Sequence, residues 1–219
     1  MTWFARLMVM IFLTTMFALL ATGCTIDQHI EKTIKIDDPF ASESEQQFVG
    51  LILNYWKLPD GESTLVTFPN GKSMLIDTGS ETDAETLLSY LSEHKITKLD
   101  YVVLTNDLDN HVGGYKNLEK NVQIQTILMP KPIADSIRQA VPIATDKNIL
   151  MLTDGQRLPI DQNVSLLVLH PSEHTLLSPQ DNSLVFQLKH DQLRFLFTGG
   201  VGEAAEAQLL RRHKPELPA

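Results

Sequence analysis

The chain has 219 residues, 43% of them hydrophobic, a formal net charge of −9 and one cysteine. That length suits one α/β domain with a tether, and the single cysteine excludes a disulfide within the chain. The acidic balance repels polyanions and so argues against nonspecific DNA binding, although a small basic groove could hide inside an acidic average.

The first residues carry Arg6 and then the apolar run Leu7–Ala21, the outline of a secretory signal. The run falls short of the ~20 apolar residues that a membrane-spanning helix needs. Leu20-Ala21-Thr22-Gly23-Cys24 resembles the bacterial lipobox, whose cysteine is acylated and becomes the first residue of the mature protein. On that reading residues 1–23 are a lipoprotein signal peptide. Residues 24–47 are lipidated Cys24 and a flexible polar tether with Pro39 near its middle, leaving room for a short strand around Ile34 and Ile36. Residues 48–219 are the folded domain. The expected location is extracytoplasmic, with a bacterial membrane as partner through Cys24. The competing readings are an uncleaved anchor and a secreted protein with a stray thiol.

Thr64–Phe68 and Lys72–Ile76 are β-prone runs around Pro69-Asn70-Gly71, where Asn-Gly supplies the positive φ angles of a tight hairpin. After Leu75-Ile76-Asp77-Thr78-Gly79, Ser80 with Asp83 forms a capping-box pattern, and Ala84, Leu87, Leu88 and Leu91 make one apolar helical stripe. Tyr101–Leu104 is an unbroken apolar run, as in a strand covered on both faces, and it delivers the chain into TNDLDNHVGG, residues 105–114. Further strands are expected at Ile124–Met129 and Leu166–Leu169, a short helix at Pro132–Ala140, and a hairpin of Leu184–Leu188 and Leu193–Thr198 turning at His190-Asp191. Val201–Arg212 reads as a helix with Ala205 and Leu209 on one side and Arg211 and Arg212 at the favourable end of its dipole. The pattern predicts an α/β (α+β) sandwich: two mixed sheets with helices packed outside.

These motifs, in this order, resemble the metallo-β-lactamase fold, and more narrowly the extracellular metallo-β-lactamase-like domain of ComEC competence proteins and their free-standing relatives. The carriers are Leu75–Gly79, the loop closed by His111-Val112-Gly113-Gly114, Val168-Leu169-His170-Pro171, Asn182-Ser183-Leu184-Val185, and Leu196–Gly200 leading into Glu203–Leu210. The resemblance covers residues 50–212. It implies an αββα sandwich and, in catalytic members, a loop Thr-His-x-(His or Asp)-x-Asp-His-x-Gly-Gly that binds one or two metal ions, usually zinc.

Placed on that pattern, Asn106 stands at the first ligand, Leu108 at the second and Asn110 at the aspartate, while His111 is retained. Gly200 stands where the family's Thr-Gly-Asp supplies a carboxylate, and the sequence given stops at Ala219, short of the family's His-His-Gly-Ser segment; on this reading the domain is C-terminally shortened. A catalytic zinc needs about three side chains with lone pairs and an open position for water, whose pKa it lowers to about 7. Leucine offers no lone pair, and a neutral amide holds zinc poorly. Asp77, in the position of a bracing carboxylate, is left with a structural role, as are Gly79, Gly113 and Gly114.

A displaced site remains open: Asp107, Asp109 and His111 stand at i, i+2 and i+4, on one side of an extended loop, and could bind a harder ion such as Mn²⁺ or Mg²⁺. The competing reading leaves both aspartates facing water or capping a helix that begins near His111. His170 reads as a strand-end residue, and His29, His94, His174, His190 and His213 are assigned no role. Three functions are compatible with these residues. The first is a noncatalytic, metal-free binding or accessory protein whose partner is a protein or small ligand. The second is a metal-dependent hydrolase, a phosphodiesterase or nuclease by resemblance, with zinc or another divalent cofactor and a nucleic-acid substrate. The third is a decayed gene product.

Overall fold

The computed structural model describes residues 50–174, 176 and 178–213, together with the backbone of the short strand β1 (Ile34–Ile36). The expected signal segment, the lipidation site Cys24, the rest of the tether and His29 lie outside the described residues. The strand expected around Ile34 and Ile36 is present as β1. The chain divides into two compact units, Met1–Ile52 and Leu53–Ala219. Strand β2 (Leu51–Lys57) straddles that division, and every later strand and helix belongs to the second unit.

The larger sheet of that unit runs in chain order, β2-β3-β4-β5-β6-β7. β3 (Glu62–Thr67) and β4 (Ser73–Ile76) are the expected antiparallel hairpin. Its turn is looser than a two-residue Asn-Gly turn. Phe68 N–H donates to the Lys72 carbonyl at 2.9 Å across a five-residue loop, and Gly71 alone has a positive φ, 78°. Asn70 contributes through its side chain, which accepts from Lys72 N–H at 3.0 Å.

From β4 onward the strands pair in parallel: β5 (Lys98–Val103), β6 (Gln123–Pro130) and β7 (Asn148–Leu152). A parallel neighbour requires a crossover, and each crossover here is helical. These helices are α1 (Ala84–Glu93), the pair α2 (Asp109–Val112) and α3 (Tyr115–Asn121), and α4 (Ala134–Ala140) behind a 3₁₀ turn, Lys131–Ile133. They pack on one face of the sheet. Leu87 and Leu91 of α1, Val112 of α2, and Tyr115 and Leu118 of α3 form one core with Leu65, Leu75, Val102 and Ile127 of the strands. Leu65 and Leu75 are register partners. By alternation, their neighbours Thr64, Val66, Met74 and Ile76 therefore point to the opposite face.

The second sheet, β11-β10-β9-β8, is formed by β8 (Arg157–Pro159), β9 (Val164–His170), β10 (Val185–His190) and β11 (Leu193–Phe197). It is antiparallel throughout, rather than mixed as expected. The β10–β11 turn falls at Asp191-Gln192, one residue later than anticipated, with Asp191 at φ 53° and His190 buried at the end of its strand. Helix α5 (Glu203–His213) lays Ala205 and Leu209 against this sheet. Its start is held by Asp181, whose carboxylate accepts from Ala205 N–H at 3.0 Å, and its end by Asp154, which lies 2.8 Å from His213 Nε2 and 3.5 Å from Arg212.

Three strands, β2, β7 and β8, have no counterpart among the elements expected from the sequence. β7 lies at the open edge of its sheet, and Leu150 and Met151 are each 38% exposed there.

The turn into α1 is fixed by one buried carboxylate. Asp83 accepts from Ser80 N–H at 2.9 Å, Ser80 Oγ at 2.8 Å and Asp60 N–H at 3.1 Å, so the expected capping box is present and reaches back to the β2–β3 connection. Asp83→Ala strands these donors. It should lower the free energy of unfolding by about 2–3 kcal/mol in urea titrations, and a loss within about 0.5 kcal/mol, typical of a surface substitution, would show that the cap is not structural.

Candidate functional site

Strand β4 ends at Asp77, a buried residue at φ 59°, a left-handed conformation that short polar residues tolerate best. Both sides of its backbone are held: Asp77 N–H donates to the Val103 carbonyl at 2.8 Å, and its own carbonyl accepts from Ser63 Oγ at 2.8 Å. Its carboxylate is the hub of the site. Oδ1 accepts from Thr105 N–H at 2.8 Å, while Oδ2 accepts from Thr105 Oγ1 at 2.7 Å and from His111 Nδ1 at 2.8 Å. Asp77 thus joins the loop's entry at Thr105 to His111 of α2.

Because Nδ1 donates to Asp77, Nε2 is the free ring nitrogen of His111. It lies 3.4 Å from the point where a side chain at position 200 would begin, but Gly200 supplies none. Gly200 has φ 68°, which a side chain resists. Burial pulls the His111 pKa down, but the hydrogen bond and charge of Asp77, with Glu62 farther off, outweigh it and the net shift is upward.

Asn106 is fully buried and committed at both ends. Its Nδ2 donates to the Gly199 carbonyl at 3.0 Å and to Ser183 Oγ at 3.3 Å, and its Oδ1 accepts from Leu108 N–H at 2.9 Å. The amide therefore ties the loop after β5 to both the segment before β10 and the segment after β11. Leu184 N–H adds a backbone tie to the Thr105 carbonyl at 2.7 Å.

The displaced site does not form in the way its spacing suggested. That arrangement needed an extended loop, but Asp109 opens α2, and helical geometry turns residues two apart to different faces. Asp109 is exposed, whereas the partly buried Asp107 accepts a hydrogen bond from Ser136 of α4. The second Asp107 oxygen is buried and has no partner among the described residues. One such oxygen is not a cation site. Among the described residues no group of three or more His, Cys, Asp or Glu side chains is placed to hold a metal ion. Asn110 and Leu108 are partly buried, and neither side chain carries a charge. The donor set at this site, one imidazole nitrogen facing a glycine, does not fit zinc.

The retained glycines serve packing. A Cβ at Gly114 would collide with the Thr78 carbonyl and one at Gly113 with Glu81 N, so the start of the α2–α3 pair sits directly on the β4–α1 turn. Gly79 completes the joint, its N–H donating to the Glu62 carbonyl at 3.0 Å and its carbonyl accepting from Gly114 N–H at 3.1 Å. His170 is buried, and its Nε2 donates to the Asp181 carbonyl at 2.7 Å, so it is a strand-end residue as expected. Burial lowers its pKa.

Beside the Asp77 hub, a cleft of about 190 Å³ opens between the inner faces of the two sheets. Tyr55, Glu62, Thr64, Thr105 and Thr198 line it. Tyr55 and Glu62, on the adjacent strands β2 and β3, belong to no sequence motif, so neither is among the expected site residues.

Two outcomes test this geometry. A raised folded-state pKa means that the His111–Asp77 contribution is complete below the ordinary histidine value of 6.5 and is lost as pH rises through the folded value. Melting temperatures of the wild type should therefore fall relative to His111→Gln as pH is raised above 6.5; parallel curves would remove the pair from the stability account. Asn106→Asp keeps the acceptor but loses the donor to Gly199. It should cost about 2–3 kcal/mol of unfolding free energy in urea, and a neutral result would show that the amide does not tie the two sheets.

No family model and no curated protein matches the chain. Solved structures do. A metallo-beta-lactamase HARLDQ motif mutant from Cronobacter sakazakii superposes with TM-score 0.52 at 15% identity, over 66% of this chain and 58% of that one. The unmutated HARLDQ-motif enzyme gives 0.52 at 14%, over 66% and 55%. The Rm3 metallo-beta-lactamase gives 0.53 at 17%, over 75% and 71%. The chain thus spans less than two thirds of the Cronobacter enzyme's length. Two layered sheets with outer helices, the Asp77-braced loop and these superpositions together give the chain the metallo-β-lactamase fold.

Proposed function

We propose that this chain is a noncatalytic binding or accessory module, held at a bacterial membrane through Cys24, that uses the cleft of a metallo-β-lactamase fold without a metal. The observation that carries this reading is the state of the retained loop. Asn106 gives both ends of its amide to cross-links between the sheets, Gly200 faces His111 with no carboxylate, and Asp107 is bonded to α4. A zinc-bound hydroxide requires several electron-pair donors converging on one point. Here one nitrogen converges on it. Remote ancestry with the ComEC-type domain is compatible with the order of motifs and forms part of the proposal.

Elemental analysis of the purified chain, combined with melting curves in chelator and in zinc, tests the reading. The expected result is well under about one zinc per ten chains and melting temperatures that coincide, since a metal that bound the native state would raise them. Stoichiometric zinc that disappears in His111→Ala, together with cleavage of bis-p-nitrophenyl phosphate, would overturn it.

A further inference from the structure

The cleft beside Asp77 has a chemical character that the family motif does not describe. Strand alternation sends Glu62 and Thr64 to the inner face opposite Leu65, and Tyr55 of β2 meets β11 across the same gap. The Tyr55 ring is 64% exposed yet fixed in orientation. It stacks on Phe197 with centroids 6.5 Å apart and planes 22° from parallel, and Phe197 stacks on buried Phe186 at 5.0 Å and 17°. Three rings in series therefore run to Tyr55, and both Tyr55 and Phe197 line the cleft.

The charges in the cleft are of one sign. Among the described residues no lysine or arginine lines it. The Asp77 carboxylate is saturated by its donors from Thr105 and His111, and the adjacent imidazole is offset by that same carboxylate. Glu62 is different. It is exposed and lines the cleft. The cleft thus pairs an available carboxylate with an aromatic face, and threonine hydroxyls from Thr64 and Thr198 lie along the wall.

An ammonium group satisfies both features at once: the ring quadrupole attracts a cation over its face, and the carboxylate supplies the opposite charge. Anions meet Glu62 and the acidic surface and are repelled. The small volume limits the ligand to a few heavy atoms around the charge. We infer that the cleft between Tyr55 and Glu62 binds a small organic ammonium cation, an inference that rests on the metal-free binding reading above.

The probe is tetramethylammonium chloride, titrated into the full chain at constant ionic strength and followed by NMR shifts of the backbone amides of Glu62, Thr64 and Thr198. The neutral isostere tert-butanol is the control for apolar filling of the cleft. Saturable shifts confined to the cleft are expected, weakened about tenfold by Glu62→Gln and by Tyr55→Leu. Both side chains are exposed, so neither variant threatens the fold. Linear, unsaturable shifts, equal binding of tert-butanol, or affinities unchanged in both variants would each overturn the inference. Any of those outcomes in a zinc-free protein leaves the metal-free reading standing. Zinc that binds at His111 and displaces the probe sinks both.

Discussion

A single buried carboxylate, that of Asp77, sets the geometry on which the site depends. An ionised group in the protein interior is tolerable only when its oxygens are matched by donors, and here the donors arrive from different parts of the chain: the peptide and hydroxyl of Thr105 and the ring of His111. Satisfying the charge therefore forces the end of β4, the loop after β5 and helix α2 into one arrangement. The left-handed backbone at Asp77 is held by Ser63 and Val103 on either side, so strain at that residue is contained by the hairpin and the neighbouring strand. The side chains at positions 106, 108, 110 and 200 (Asn, Leu, Asn and Gly) add no charged electron-pair donor to this frame.

An ion shared by loops from two sheets would also be a cross-link, and in this chain the amide of Asn106 makes such a cross-link itself. As a neutral group with both donor and acceptor, it can bond to a carbonyl, a hydroxyl and a peptide N–H at once, whereas an imidazole in the same place has fewer hydrogen-bonding positions. The substitution is thus coherent with a fold that keeps its shape without an ion. Gly200 is coherent with it too: with no side chain, it sets no electron-pair donor beside His111 Nε2.

Much of the fold was legible because its signals are local. The β3–β4 hairpin has a turn sequence between two β-prone runs, α1 has a capping box and an apolar stripe, and β5 is apolar throughout its second half. β7 escaped because its residues follow neither period; at a sheet edge, with Ile149 packed and Leu150 and Met151 partly exposed, its burial does not alternate. β8 is too short, and too polar at Arg157 and Pro159, to announce itself. At the site, the roles of Asp77 and the glycine pair could be read from the motif. The Asp107–Asp109–His111 face could not, because its premise was an extended loop and the chain turns into a helix at Asp109. Tyr55 and Glu62, on the neighbouring strands β2 and β3, carry no motif, and the cleft they line exists only because β11 of the other sheet packs against Tyr55.

The tie between Asn106 and Gly199 joins positions 93 residues apart. Closing so long a span costs chain entropy that no neighbouring contact recovers in advance, whereas the β3–β4 hairpin and each strand–helix–strand crossover can form from nearby segments. The seam between the sheets is therefore a late arrival in folding, assembled only after β10 and β11 have docked. A contact absent from the transition state acts on the rate of opening rather than the rate of formation. Asn106 is accordingly a latch on the lifetime of the native molecule, and the seam it holds is the region that would loosen first as that lifetime ends.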